Sequence, residues 1–175
     1  MVNHDRGGWP AIGVGAEADA ATALRRLLDR EEIRELIGRF AYCVDFQDWA
    51  LFESVLGDPL RVDLSSVFGG PEGLKEQPRQ AFIDSCTALF ARLDGTQHVP
   101  LLDRLSVDGD MAEAISLLMA QHFKSDHPGG AVQRMLGHYR YGLTRKPDGW
   151  RITEITYLLR WNEGNWGVIA QATQA

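Results

Sequence analysis

The sequence predicts an α+β fold in which helices near the start of the chain pack on one face of a curved, mainly antiparallel sheet. Three observations carry this. An amphipathic helical pattern runs from Asp29 to Asp45, four long strand-like segments fill the second half of the chain, and Asp-Gly pairs mark two of the turns between those segments.

In chain order, residues 1–23 are rich in Gly and Ala and read as a flexible leader. The domain itself is expected over residues 24–165, with a C-terminal tail at 166–175. Asp29 with Glu32 resembles a capping box, and Ile33, Leu36, Ile37, Phe40, Ala41 and Val44 then recur at helical spacing. At 100° per residue, Asp45 falls at the edge of this apolar stripe and Tyr42 on the opposite side. A second short helix is expected from Asp48 to Leu56, stopped by Gly57-Asp58-Pro59, then a strand from Leu60 to Phe68 and a glycine-rich loop. A third helix is expected from Pro78 to Leu93. The strands follow at about Thr96–Val107, Ala112–Lys124, Val132–Lys146 and Trp150–Asn162, with Asp108-Gly109 and Asp148-Gly149 as hairpin turns. This order disfavours a parallel, doubly wound sheet.

Composition narrows the function classes. A chain of 175 residues supports one domain with one sizeable core, and 45% hydrophobic with 24% charged residues is the balance of a globular protein. A formal charge of -6 and the lack of Lys/Arg runs argue against a nucleic-acid partner. Neither a secretory h-region nor a membrane-length apolar stretch is found, so the expected location is cytoplasmic. Cys43 and Cys86 stand apart from any C-x-x-C or Cys/His spacing, so no metal site is expected and both read as buried thiols. Nucleophile elbows, phosphate loops, dinucleotide fingerprints and H-E-x-x-H are missing from the sequence.

Three polar residues fall on otherwise apolar faces: Asp45, His98 and His122. His122 ends a period-two row of small or apolar side chains, Ala112, Ala114, Ser116, Leu118 and Ala120. A carboxylate and an imidazole converging in a desolvated pocket form an acid-base pair, the carboxylate fixing the tautomer and stabilising the imidazolium. The same residues could serve as a helix-end cap and two structural histidines, and the pattern alone leaves both readings open. Trp161 and Asn162, closing the last strand, are candidates for a pocket rim. His138 and Arg140 share one face of their strand and read as its solvent side.

The run from Asp29 to Asp45 followed by Asp48-Trp49 resembles the opening helices of the SnoaL-like group of the nuclear transport factor 2 superfamily. The resemblance continues through Thr96-Gln97-His98, Val107 to Asp110, Ala120-Gln121-His122, Gly137 to Tyr141 and Asp148 to Ile152. It implies a cone-shaped domain that takes a small, largely apolar cyclic or aromatic substrate and works without a cofactor, as in the scytalone dehydratase-like branch. By that likeness Asp45 and His98 form a catalytic dyad, with His122 assisting in a dehydratase, lyase or isomerase reaction. Many dehydratase-like members carry Tyr five residues before the aspartate and the dehydrochlorinase carries Lys, whereas here Phe40 stands there as a wall of the substrate site. Two alternatives remain in view: a ligand-binding or assembly module of the same fold, and a polyketide cyclase or hydroxylase-like member. The convex sheet face is expected to pair copies into a homodimer or homotrimer.

Overall fold

The computed structural model describes residues 19–170. The first helix, α1 (Ala20–Phe46), begins well before the expected start, because Ala20 to Leu28 are strong helix formers and Asp19 is the cap, accepting from the Thr22 amide at 2.9 Å. Asp29 is therefore not part of a capping box. It is an interior residue only 4% exposed, and it accepts from Arg145 Nη1 at 2.8 Å while Arg25 Nε lies at 3.1 Å. Helix α1 ends where Gln47 turns left-handed, and Asp48 at once caps α2 (Trp49–Val55) by accepting from the Leu51 amide at 3.0 Å.

Strand β1 (Leu56–Asp63) starts and ends earlier than the sequence suggests. Gly57 does not break the chain but lets it run close to its neighbour, since a Cβ there would lie 2.7 Å from Thr153 Cγ2. The strand stops at Asp63 because its carboxylate turns the backbone, accepting from the Ser65 amide at 3.0 Å and the Gly73 amide at 2.8 Å. Residues expected to continue the strand instead form the single helical turn α3 (Ser65–Phe68). A short strand β2 (Lys75–Gln77) follows, then α4 (Arg79–Phe90).

The meander is β3 (Gly95–Asp108), β4 (Met111–Phe123), β5 (Val132–Lys146) and β6 (Gly149–Gly164). These strands pair antiparallel in sequence, β1 adds parallel to β6, and β2 closes the edge antiparallel to β1, giving the order β2-β1-β6-β5-β4-β3. The architecture is thus an α+β fold with a mixed, unclosed six-stranded sheet. Helices α1, α2 and α4 cover one face, burying Ile33, Ile37, Phe40, Phe52, Leu118 and Ile155 among others. Past the expected start of the tail, Gly167–Ala170 make one further helical turn, α5, because Val168 and Ile169 have a core to enter. Among the described residues no helix is long and apolar enough to cross a membrane.

Candidate active site at the open end of the sheet

The end of α1 and the start of β3 meet through Asp45. Its carboxylate accepts from the His98 amide, at 2.8 Å to Oδ2 and 3.0 Å to Oδ1, and faces His98 Nδ1 at 2.7 Å. The backbone bonds fix the carboxylate and the side-chain bond fixes the imidazole: Nδ1–H donates to Asp45, which leaves the Nε2 lone pair directed away from the helix. The His98 side chain is only 6% exposed and that of Asp45 14%. Tyr42 points outward and stacks on Phe46 at 4.6 Å.

His122 joins this pair from the neighbouring strand. The register sets Thr96 opposite His122 and Ala120 opposite His98, so the two histidines are diagonal neighbours on the inner face. Their ring centroids are 5.5 Å apart, and Phe90 from α4 closes the third side at 5.8 Å from His98 and 6.1 Å from His122. His122 is fully enclosed, and its Nδ1–H donates to Gln133 Oε1 at 2.7 Å. Gln133 Nε2 donates in turn to Asn162 Oδ1. Burial, and then the nearby His98 charge, pull the His122 pKa down to about 4. His122 is therefore neutral at neutral pH and presents an Nε2 lone pair, an acceptor rather than an acid.

The other expected residues divide. Asn162 belongs to the site through Gln133. Phe40 is a buried wall whose ring lies 5.2 Å from Phe52, 5.7 Å from Tyr139 and 5.8 Å from Tyr141. Trp161 does not line the site: it is 57% exposed on the outer face. The register gives the cause. Gly137 pairs with Leu159 but Leu136 pairs with Trp161, so Arg160 is an extra residue that reverses the alternation, turning Trp161 out and Asn162 in.

Sequence reasoning missed Gln133, Phe90 and the inward tyrosines of β5 and β6. The signal for Tyr139 and Tyr141 is their alternation with His138 and Arg140, whose strand face reads as the solvent side. Burial pushes the Cys43 thiol up to about 11 and the Cys86 thiol up to about 12, so neither supplies a thiolate at neutral pH. Among the described residues no group of His, Cys, Asp and Glu is arranged to hold a metal ion. Two adjoining surface grooves of about 470 Å³ each lie at the other end of the sheet, where Lys146, Asp148 and Arg151 line both, away from Asp45, His98 and His122.

Helices on one face of an open six-stranded sheet, with polar residues gathered at one end, define the α+β cone of nuclear transport factor 2-like proteins. The profile of the SnoaL-like domain matches residues 25–156, and the chain belongs to that family. Among solved structures it resembles the Kfla4162 protein of Kribbella flavida at 27% identity and a TM-score of 0.77, over 82% of this chain and 98% of that one. A Novosphingobium aromaticivorans protein to which scytalone dehydratase activity is ascribed matches at 14% identity and a TM-score of 0.66, over 80% of this chain and 89% of that one. Hexachlorocyclohexane dehydrochlorinase LinA-type3 of Novosphingobium barchaimii matches at 18% identity and a TM-score of 0.66, over 81% and 93%. The last two show the fold alone. No curated protein matches the chain in sequence.

Proposed function

We propose that the protein is a cofactor-independent acid-base enzyme, a dehydratase-type lyase or an isomerase, acting on a small, largely apolar cyclic or aromatic substrate. The observation that carries this reading is the bond from His98 Nδ1–H to Asp45 at 2.7 Å, which leaves a single basic nitrogen, Nε2, in a largely buried position. Dehydratase and dehydrochlorinase assignments among proteins of the same fold are consistent with it.

In the elimination we envisage, His98 Nε2 removes a proton from carbon next to a carbonyl, and Asp45 stabilises the imidazolium that forms. The electron pair released from the C–H bond becomes the new double bond as the C–O bond to a neighbouring hydroxyl breaks. The imidazolium returns its proton to the departing oxygen, which leaves as water. His122 cannot supply that proton at neutral pH, because it is held neutral. Its part is to accept a hydrogen bond from the leaving hydroxyl and orient it, with Gln133 fixing the tautomer.

With a small cyclic β-hydroxy ketone as substrate, Asp45→Asn and His98→Ala should each lower kcat by roughly 10²–10⁴-fold while far-UV circular dichroism stays unchanged. Parallel loss of fold and activity would make the pair structural. A second reading, a binding module of the same fold, is favoured by Phe40, which puts no proton donor on α1 beside the dyad. Under that reading both variants still bind ligand and the wild type turns nothing over. In the first reading the chain also acts as a homo-oligomer, through the outer face of the sheet.

A further inference from the structure

His122, Gln133 and Asn162 form a polar row across the inner face of three adjacent strands. His122 on β4 lies directly opposite Gln133 on β5, while Asn162 on β6 pairs with Met135 and so is diagonal to Gln133. The β6 residue directly opposite Gln133 is Gly164, which has no side chain to offer it. His122 Nδ1–H donates to Gln133 Oε1 at 2.7 Å, and Gln133 Nε2 donates onward to Asn162 Oδ1. His122 and Gln133 are enclosed, whereas Asn162, at the outer end of the row, is half-buried.

A side-chain amide accepts through one end and donates through the other, and a half-turn about its last bond exchanges the two. A neutral imidazole can meet either end. Facing the carbonyl, its Nδ1 carries the proton and Nε2 keeps a lone pair; facing the amide N–H, its Nδ1 is bare and the proton sits on Nε2. The orientation of Gln133 therefore sets the tautomer of His122, and what ends the row on β6 sets the orientation of Gln133. Burial holds the His122 pKa at about 4, so at neutral pH the tautomer, not the charge, is the variable. The bulge in β6 is what makes the row possible. Leu159 faces inward, and strict alternation would bring in Trp161 next; the extra residue Arg160 delays the alternation so that Asn162 enters instead. Bulges give up ladder pairing, and beside active sites they serve to re-aim a side chain.

We propose that Asn162, delivered by the Arg160 bulge, is a positioning residue that decides through Gln133 whether His122 accepts or donates a hydrogen bond. With the Asn162 oxygen turned toward Gln133, the Gln133 N–H points outward and its carbonyl faces His122, so Nε2 is an acceptor. A hydroxyl is welcomed at that nitrogen, and an ether or carbonyl oxygen, which would meet a lone pair, is refused. Asn162 thus selects the ligand group at His122 without touching it.

The positioning role rests on the acceptor part given to His122 in the elimination, but its test needs no substrate, so its failure would leave the Asp45–His98 chemistry standing. Proton–nitrogen correlation NMR of the full chain with isotope-labelled histidine, at pH 8, reads which ring nitrogen carries the proton. The His122 signals are those lost in His122→Gln. In the wild type they should show Nδ1 protonated and Nε2 bare. Asn162→Asp ends the row with acceptors alone and should keep that pattern. Asn162→Lys ends it with donors alone, which turns the Gln133 carbonyl outward and should move the proton to Nε2. Asn162→Val, with no polar group, should leave both tautomers populated. His98 is the reference, because its bond to Asp45 should keep Nδ1 protonated in every variant; if one substitution disturbs it, the other carries the test. A wild-type His122 protonated on Nε2, loss of its pattern in Asn162→Asp, or the wild-type pattern in both Asn162→Lys and Asn162→Val would overturn the proposal.

Discussion

At the residue scale, two imidazoles 5.5 Å apart are given opposite properties by their partners. His98 Nδ1 meets a carboxylate, whereas His122 Nδ1 meets a neutral amide in an enclosed setting that opposes a positive charge on His122. This has a consequence for stability as well as for chemistry. The ordinary histidine pKa is 6.5 and that of folded His122 about 4, so between those values the unfolded chain binds a proton that the folded one does not. Stability is therefore full above about pH 6.5, falls as the pH drops, and is lost through pH 4; the whole effect is on the order of 3 kcal/mol. Urea unfolding at pH 7 and pH 4.5 should show this loss in the wild type and a much smaller one in His122→Gln. An equal pH dependence in both proteins would mean that His122 is charged in the folded state.

At the element scale, strands β5 and β6 hold the site in register, and their packing leaves no space for an added methyl group at Gly137. Gly137→Ala places its Cβ 2.3 Å from the Leu158 carbonyl oxygen, a contact that backbone movement alone can relieve. The expected cost is about 3 kcal/mol in the free energy of unfolding measured by urea titration, with Tyr157 displaced as well. Gly38→Ala, at a helical glycine with open space around its Cβ, is the control and should be neutral or stabilising. The same elements show what the sequence made legible. The apolar stripe of α1 placed Asp45, and strict alternation placed His122, because helical and strand periods are local properties of the chain. The Arg160 bulge is not local: it exists only against the partner strand, and it reversed the reading of Trp161. Strand β2, Lys75-Glu76-Gln77, has no apolar pattern and is a strand only through its pairing with β1. Asp29 looked like a cap because its charge suits a helix start, yet its partner Arg145 is brought to it by tertiary folding.

At the scale of the whole molecule, the outer face of the sheet carries a patch that a lone copy would leave in water. Val99 and Leu101 on β3 lie opposite Met119 and Leu117 on β4, and Met119 lies opposite Leu136, itself opposite Trp161. Leu101 is 63% exposed, Trp161 57%, Val99 49%, Met119 47% and Leu117 41%, so the row is contiguous and open. Polar pairs border it: Arg140 meets Glu113 at 2.9 Å on one side, and Arg134 meets Gln121 at 2.6 Å on the other. An apolar centre with a polar border is the anatomy of an interface, and a self-complementary sheet face is most simply satisfied by a two-fold axis through it. The occupant expected is a second copy, which places the outward Trp161 in the interface and leaves the ligand end of each cone free. Sedimentation equilibrium should give twice the chain mass for the wild type and a single chain mass for the double variant Leu101→Glu, Leu117→Glu. Because both side chains point away from the core, the variant should keep its circular dichroism spectrum. A wild-type monomer, or a dimer undisturbed by two glutamates at the centre of this face, would place the contact elsewhere.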